Sequence, residues 1–481
     1  MPNTAVLKKT IARCRERGVI IPTFEQMRHP EKIPGAIQRR LRKIGLWDVS
    51  PLNLFRITWK NDISSGLFGP VNALEIPRVI TRVRARIVGL LGKFYPTGAH
   101  KVGAAFGCLV PRLINGEFDP TAQKAVWPST GNYCRGGAFD SVLLDCVPVA
   151  ILPEGMSKER FEWLKGIGAE VIATPGTESN VKEIYDKCWE IRRTRPECVI
   201  FNQFEEFGNP VWHYEVTGPA VEEAFRNLGP GLNLAAYISA TGSAGTIAAG
   251  DYLRGRFPHI RVTASEALQC PTLLYNGFGA HRIEGIGDKH VPWIHNVRNT
   301  DAAVAIDDES CMQILRLFNE KAGHALLKDQ GVPASFIRKL PLLGISGISN
   351  MLSAIKIAKY FELTENDVVM TIFTDSTALY GSRVEELRAQ YGEYKPKNAL
   401  YDRTRYLDGI GPDHVMDLGY YDRKRLHNLK YFTWVEQQGK TSEDLNRLWA
   451  PSFWEEVFRQ GPVWNRQIDE FNRATGVLKR L

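Results

Sequence analysis

The chain has 481 residues, more than one compact core organises, and that length implies roughly two to three domains. Its 44% apolar and 24% charged residues are those of an ordinary globular protein and exclude a disordered or fibrous chain. Sixty-one Lys and Arg against 53 Asp and Glu leave a formal charge of +8, which favours anionic substrates or cofactors in a cleft; the basic residues are scattered among acidic ones, so a nucleic-acid partner is not expected.

The first residues, Met1 to Gly18, are basic but lack an apolar stretch of the length a secretory signal needs, so export is not expected and a cytoplasmic protein is. Residues 1–59 read as helix and irregular structure leading into the fold. The most apolar windows, Leu143–Leu152 and Leu234–Gly250, are broken by Asp145 or rich in Gly, Ser and Thr, so no membrane span is expected. Eight widely spaced cysteines without a C-x-x-C pair fit small reduced thiols rather than a zinc site or disulfide framework, and no metal is expected.

From about 96 to 385, apolar or β-branched runs alternate with helical patterns, the signature of an α/β chain with a largely parallel sheet. Val147–Leu152 predicts a strand, Ser157 caps a helix through Leu164, Gly166 and Gly168 stop it, and Glu170–Ala173 forms the next strand. Later strands are predicted at Ala235–Ser239, Arg261–Ser265 and Val368–Phe373. Ligands of open α/β sheets sit beyond the carboxyl ends of strands, which places the chemistry there. Residues 386–481 hold Trp434, Trp449, Trp454 and Trp464 and helical patterns at Ser442–Trp449 and Ser452–Arg459; so aromatic a tail is expected to be ordered and packed against the core or a second subunit.

Four segments carry candidate chemistry. Tyr95-Pro-Thr-Gly-Ala-His100-Lys101 precedes the helical run Val102–Val110, so the Lys101 ammonium stands near the positive end of a helix dipole, which favours the neutral amine that attacks aldehydes. Trp127-Pro-Ser129-Thr130-Gly131-Asn132 offers backbone N–H groups able to hold a carboxylate, although an ordinary turn explains it equally well alone. The strand Ala235–Ser239 runs into Ala240-Thr241-Gly242-Ser243-Ala244-Gly245-Thr246 and the helix Ile247–Arg254, the order of elements in a phosphate cradle. That loop lacks a P-loop lysine and misses G-x-G-x-x-G, which points to a phosphate monoester rather than ATP or NAD; a nucleotide-binding α/β protein is the weaker alternative. Lastly, Val368–Phe373 delivers Asp375 and Ser376 to a strand end, where such residues are also common turn formers.

In this order the motifs resemble the fold-type II pyridoxal-5′-phosphate (PLP) enzymes, the family of cysteine synthase, cystathionine β-synthase, threonine synthase and dehydratase, and tryptophan synthase β. The resemblance spans about residues 50–385. Pro51-Leu-Asn-Leu is a loose form of the family's T-P-L segment, Pro96-Thr-Gly-Ala-His-Lys101 is similar to the tryptophan synthase β lysine motif, and Ser129-Thr-Gly-Asn132 to the cysteine synthase substrate loop. Asn202-Gln-Phe, Asn209-Pro, His213-Tyr, Thr217-Gly-Pro, Glu284-Gly-Ile-Gly287 and Gly344-Ile-Ser-Gly347 match the same branch.

The resemblance implies two open, mostly parallel twisted sheets flanked by helices, with N- and C-terminal extensions. It implies a smaller mobile domain at 96–210, a larger PLP-phosphate-binding domain from 60–95 and 211–385, extensions at 1–59 and 386–481, and a homodimer. It further implies that Lys101 holds PLP as a Schiff base, that Asn132 bonds the ring hydroxyl, and that Thr241, Gly242, Ser243, Ala244, Gly245 and Thr246 bind the phosphate with His100 assisting. Ser376 would face the pyridine nitrogen, while Ser129, Thr130, Gly131 and Asn132 would hold the carboxylate of a small amino-acid substrate. A hydroxyl at the ring nitrogen supplies no negative charge, so a long-lived carbanion is disfavoured and prompt loss of a β-substituent is the easier outcome. The expected activity is β-elimination or β-replacement through an α-aminoacrylate, as in a cysteine synthase or C–S lyase, with Lys101 as the base. The alternatives are a serine/threonine dehydratase-like deaminase and a non-catalytic PLP-binding subunit. The 241–246 loop is one residue longer than the usual G-T-G-G-T, Val102-Gly-Ala follows the lysine where many relatives have Asp-Arg or Ile-Asn, and Pro128 replaces the substrate-loop glutamate of tryptophan synthases, so indole chemistry is not expected.

Overall fold

The computed structural model describes residues 3–129, 131–176 and 181–481. Strands β1 (Ala73–Ile76), β2 (Arg86–Leu91), β7 (Asn233–Ala240), β8 (Arg261–Ala267), β9 (Ala302–Ile306), β10 (Asp367–Phe373) and β11 (Val415–Asp417) form a seven-stranded sheet in the order β11-β9-β8-β7-β10-β2-β1. Its five central strands are parallel and the two edges, β1 and β11, are antiparallel. Between β2 and β7 in the chain, β3 (Lys124–Pro128), β4 (Val147–Pro153), β5 (Glu170–Thr174) and β6 (Cys198–Ile200) form a separate parallel sheet in the order β5-β4-β3-β6. Two mostly parallel sheets flanked by helices are the fold class read from the sequence.

The burial patterns show why these runs are strands. β9, with sequence AAVAI, is buried throughout, and β10 is buried after its first residue, as strands covered on both faces must be. β1, with sequence ALEI, alternates exposed and buried positions, as a one-sided edge does. The predicted strands lie within a residue or two of those observed. Among the α-helices are α1 (Lys101–Ile114), α2 (Asn132–Leu143), α3 (Lys158–Gly166), α4 (Ala248–Arg256), α5 (Ile345–Tyr360) and α6 (Tyr420–Lys430). α1 and α2 pack closely because Gly136 faces the backbone of Val102, where a Cβ would stand 2.7 Å from Val102 Cα. Two details depart from expectation. Ser157 occupies the N-cap position of α3, but its side chain caps nothing and Oγ is buried without a partner among the described residues, while α3 runs through Gly166 to stop before the left-handed Gly168.

The extensions are structural parts of the core. Asn472 accepts from Ile21 N at 3.0 Å and donates to Ile21 O at 2.7 Å, so the N- and C-terminal segments clasp each other. Trp434 is fully buried and donates to Val291 O at 2.9 Å, and Lys430 donates to Trp293 O at 2.9 Å and His295 O at 2.7 Å. The aromatic tail is thus ordered, as expected; its strand β11, which caps the edge of the large sheet, was not foreseen. All eight cysteines are free thiols and seven are buried. Among the described residues no single helix is long and apolar enough to cross a membrane.

Candidate active site

The carboxyl ends of β3, β7 and β10 face one cleft, lined among others by Lys101, Ser129, Asn132, Gly242, Ser243 and Thr246. Lys101 is the first residue of α1, and its Nζ donates to Ser243 Oγ at 3.1 Å. Ser243 Oγ also accepts from Asn209 Nδ2 at 3.1 Å, so the lysine and the small-residue loop share a hub that Asn209 holds. Asn209 belonged to a motif quoted above, yet only the tertiary contact shows its role.

The Thr241–Thr246 loop follows β7 and leads to α4. Its close approach to neighbouring backbone demands small residues. A Cβ on Gly242 would lie 2.7 Å from Gly285 O, and one on Gly245 would overlap Asn209 Oδ1. Ala244 adopts a left-handed φ of 61°, tolerable for a small side chain. Thr241 turns away, its Oγ1 donating to Ser265 O at 3.0 Å, whereas Thr246 and Ser243 face the cleft. His100 lies behind, stacked on Trp59 and 3.4 Å from Thr246 Oγ1 through Nε2. Burial, with the Lys101 charge adding to it, drives its pKa down to about 3, so the imidazole acts as a neutral hydrogen-bonding group.

At the other end, Ser129 N is held by Ile151 O at 2.9 Å, and Ser129 Oγ accepts from Gly131 N at 2.9 Å. Thr130 lies outside the described residues. Asn132 Nδ2 donates to Asp375 Oδ2 at 2.6 Å, which also accepts from Tyr380 Oη at 2.7 Å. Tyr380 Oη in turn accepts from Arg160 at 3.0 Å, and the Arg160 guanidinium pairs with Glu284 at 2.9 Å. Arg383 pairs with the same carboxylate at 2.6 Å. Burial pushes the Asp375 carboxyl up, and Arg160 opposes it. Sequence reading placed Asp375 at a candidate strand end without a role distinct from a turn former, and did not single out Arg160 or Tyr380; their separation along the chain hides a chain of contacts running from α3 to the segment after β10.

The residues present fit PLP. The amine of Lys101 opens on the cleft, and the loop after β7 is a cradle that any larger side chain would fill. Asn132 Oδ1 and Ser376 Oγ are both buried without a partner among the described residues, as groups awaiting a polar ring would be.

Residues 65–327 match the family model described as "Pyridoxal-phosphate dependent enzyme". The chain belongs to that family, and PLP is its cofactor. It is 28% identical over 318 residues to the probable cysteine synthase of Bacillus subtilis, covering 66% of this chain and 95% of that protein. It is 25% identical over 374 residues to the cystathionine beta-synthase of Saccharomyces cerevisiae, covering 73% of this chain and 69% of that one. Among solved structures, the O-acetylserine dependent cystathionine beta-synthase of Helicobacter pylori shares the fold with a TM-score of 0.55 at 24% identity, over 65% of this chain and 95% of that one.

Proposed function

We propose that the protein catalyses β-replacement, or the β-elimination that forms its first half, on a small L-amino acid bearing a β-leaving group. The observation that carries the reading is Lys101 at the helix start, joined through Ser243 to the phosphate cradle and facing the same cleft as Ser129 and Asn132. The names of the relatives, cysteine synthase and cystathionine beta-synthase, support replacement.

When bound, PLP supplies an electron-accepting ring conjugated to the substrate nitrogen. Lys101 would hold it, and its amine is the group placed to take the substrate Cα proton. Ser129, Thr130 and Gly131 orient the substrate carboxylate so that this proton faces the lysine. The loop 241–246 holds the phosphate through backbone N–H groups and the hydroxyls of Ser243 and Thr246, and His100 bonds to Thr246 from behind. Asn132, whose Oδ1 is unpartnered among the described residues, would bond the ring hydroxyl. Ser376 would offer the ring nitrogen a neutral hydroxyl, and the neighbouring Asp375 carboxylate is already engaged by Asn132 and Tyr380. The ring therefore stays a modest electron sink, which favours prompt departure of the β-substituent.

The same reading takes 96–210, which contains the whole four-stranded sheet, as a mobile domain closing on the larger one, and the assembly as a homodimer. The test is the visible spectrum of the purified protein: a Schiff-base band that Lys101→Ala abolishes, and products from O-acetyl-L-serine with sulfide. Cysteine formation supports replacement, a ketoacid alone supports elimination, and a wild-type protein that stays colourless with added PLP refutes the proposal.

A further inference from the structure

Sequence reading stopped at Glu284-Gly-Ile-Gly287, but the next residue enters the cleft. Among the described residues, Asp288 is the one carboxyl lining the same cavity as Lys101. It is 6% exposed, and its Oδ2 has no hydrogen-bond partner among the described residues. A purely structural buried aspartate uses its oxygens; Asp288 Oδ2 is buried and unpartnered among the described residues, in a cavity it shares with the lysine.

Its placement is built from both sides. Gly285 and Gly287 take left-handed φ values of 95° and 75°, and Gly287 N donates to Thr241 O at 2.9 Å, so the turn is tied to the phosphate cradle. Asp288 O accepts from Thr272 Oγ1 at 2.7 Å. Beyond it, His290 packs against Phe204 and Trp434, and Trp434 holds Val291 O, so the C-terminal extension braces the segment. Burial raises the carboxyl pKa to about 7 and the Lys101 charge opposes that rise, which leaves a proton that can move near neutrality. Among the described residues, Tyr185 and Cys270 also couple to its charge.

Resting on the assignment of Lys101 above, we propose that Asp288 is a second catalytic acid and base of this site, serving the β-substituent while Lys101 serves Cα. In elimination, Lys101 takes the Cα proton and that bond's electron pair forms the Cα=Cβ bond. The Cβ–X bond breaks with its pair on X, which takes the Asp288 proton and leaves as HX. In replacement, the incoming H–Nu gives its proton to the Asp288 carboxylate, the Nu pair forms the Cβ–Nu bond, and the Lys101 ammonium returns a proton to Cα.

Two substrates separate this role from a structural one. Chloride needs no proton to leave and hydroxide does. In the holoenzyme, Asp288→Asn keeps the Schiff-base band and releases pyruvate from 3-chloro-L-alanine within about threefold of wild type, while pyruvate from L-serine falls by about 10²- to 10⁴-fold, the range of a lost general acid. An equal loss on both substrates, or no loss on L-serine, overturns the proposal. A second measurement needs no turnover and tests the raised ionisation that the proposal requires: urea unfolding of wild-type and Asp288→Asn holoenzyme at several pH values. Burial holds the folded carboxyl above its unfolded value of 3.8, so wild type loses stability relative to the variant as pH rises above that value. A difference that is flat with pH overturns the assignment. A wild type lacking the Schiff-base band defeats the Lys101 reading, and a normal band with unchanged leaving-group dependence in Asp288→Asn defeats the Asp288 proposal alone.

Discussion

Replacing Arg160 by Met tests whether the buried ion pair couples the segment after β4 to the large sheet. Arg160 and Glu284 have side-chain exposures of 0% and 2% and meet at 2.9 Å. Removing one member of such a pair strands a charge in a dry interior, which typically costs about 3–5 kcal/mol. Glu284 keeps Arg383 at 2.6 Å, so the loss falls at the lower end, about 3 kcal/mol. Met fills most of the volume, so the cavity contribution is small. The carboxyl of Asp375 also loses a nearby cation and holds its proton to higher pH, which makes the variant's deficit grow as pH rises. Urea unfolding of wild type, Arg160→Met, Glu284→Leu and the double variant gives the coupling directly, and about 2 kcal/mol is expected. The guanidinium also lies where a Cβ on Gly131 would be, so the 129–132 loop loosens; if it binds the substrate as proposed, KM for the amino acid rises. A single variant within about 1 kcal/mol of wild type, or additive losses, refutes the reasoning.

Gly245→Ala pushes a methyl into Asn209 Oδ1 and displaces the residue that holds Ser243; PLP affinity, read from absorbance during titration, falls at least about tenfold with a stability loss of about 1–3 kcal/mol. Trp434→Ala removes a fully buried ring and its bond to Val291 O, costs about 3–5 kcal/mol, and exposes the C-terminal extension to limited proteolysis; an unchanged digestion pattern refutes the bracing role. Burial lifts the Asp402 carboxyl from 3.8 to about 6, so wild type loses up to about 2 kcal/mol relative to Asp402→Asn as pH rises between those values, measurable by urea midpoints.

The local signals were legible because they are local. A strand run entering small residues and then a helix, as at 233–256, forces a βα turn whatever surrounds it, and Lys101 after Pro96 and Gly98 starts a helix for the same reason. Alternation of strand and helix patterns likewise sets the fold class, since apolar β9 and β10 require cover on both faces. The expected cap at Ser157 failed because capping depends on where the hydroxyl turns, and tertiary packing turned it elsewhere.

What only the folded chain decided is which distant groups meet. Asp375 looks like any strand-end turn residue until Asn132 and Tyr380 converge on it, and Asp288 looks like a loop aspartate until its turn docks on Thr241. The sequence determined the elements, the fold class and the family resemblance from which Lys101 is proposed. Tertiary structure determined which carboxyls are buried beside charges, because burial and charge neighbourhood, which set a carboxyl's ionisation, are properties of position in space and not of neighbours along the chain.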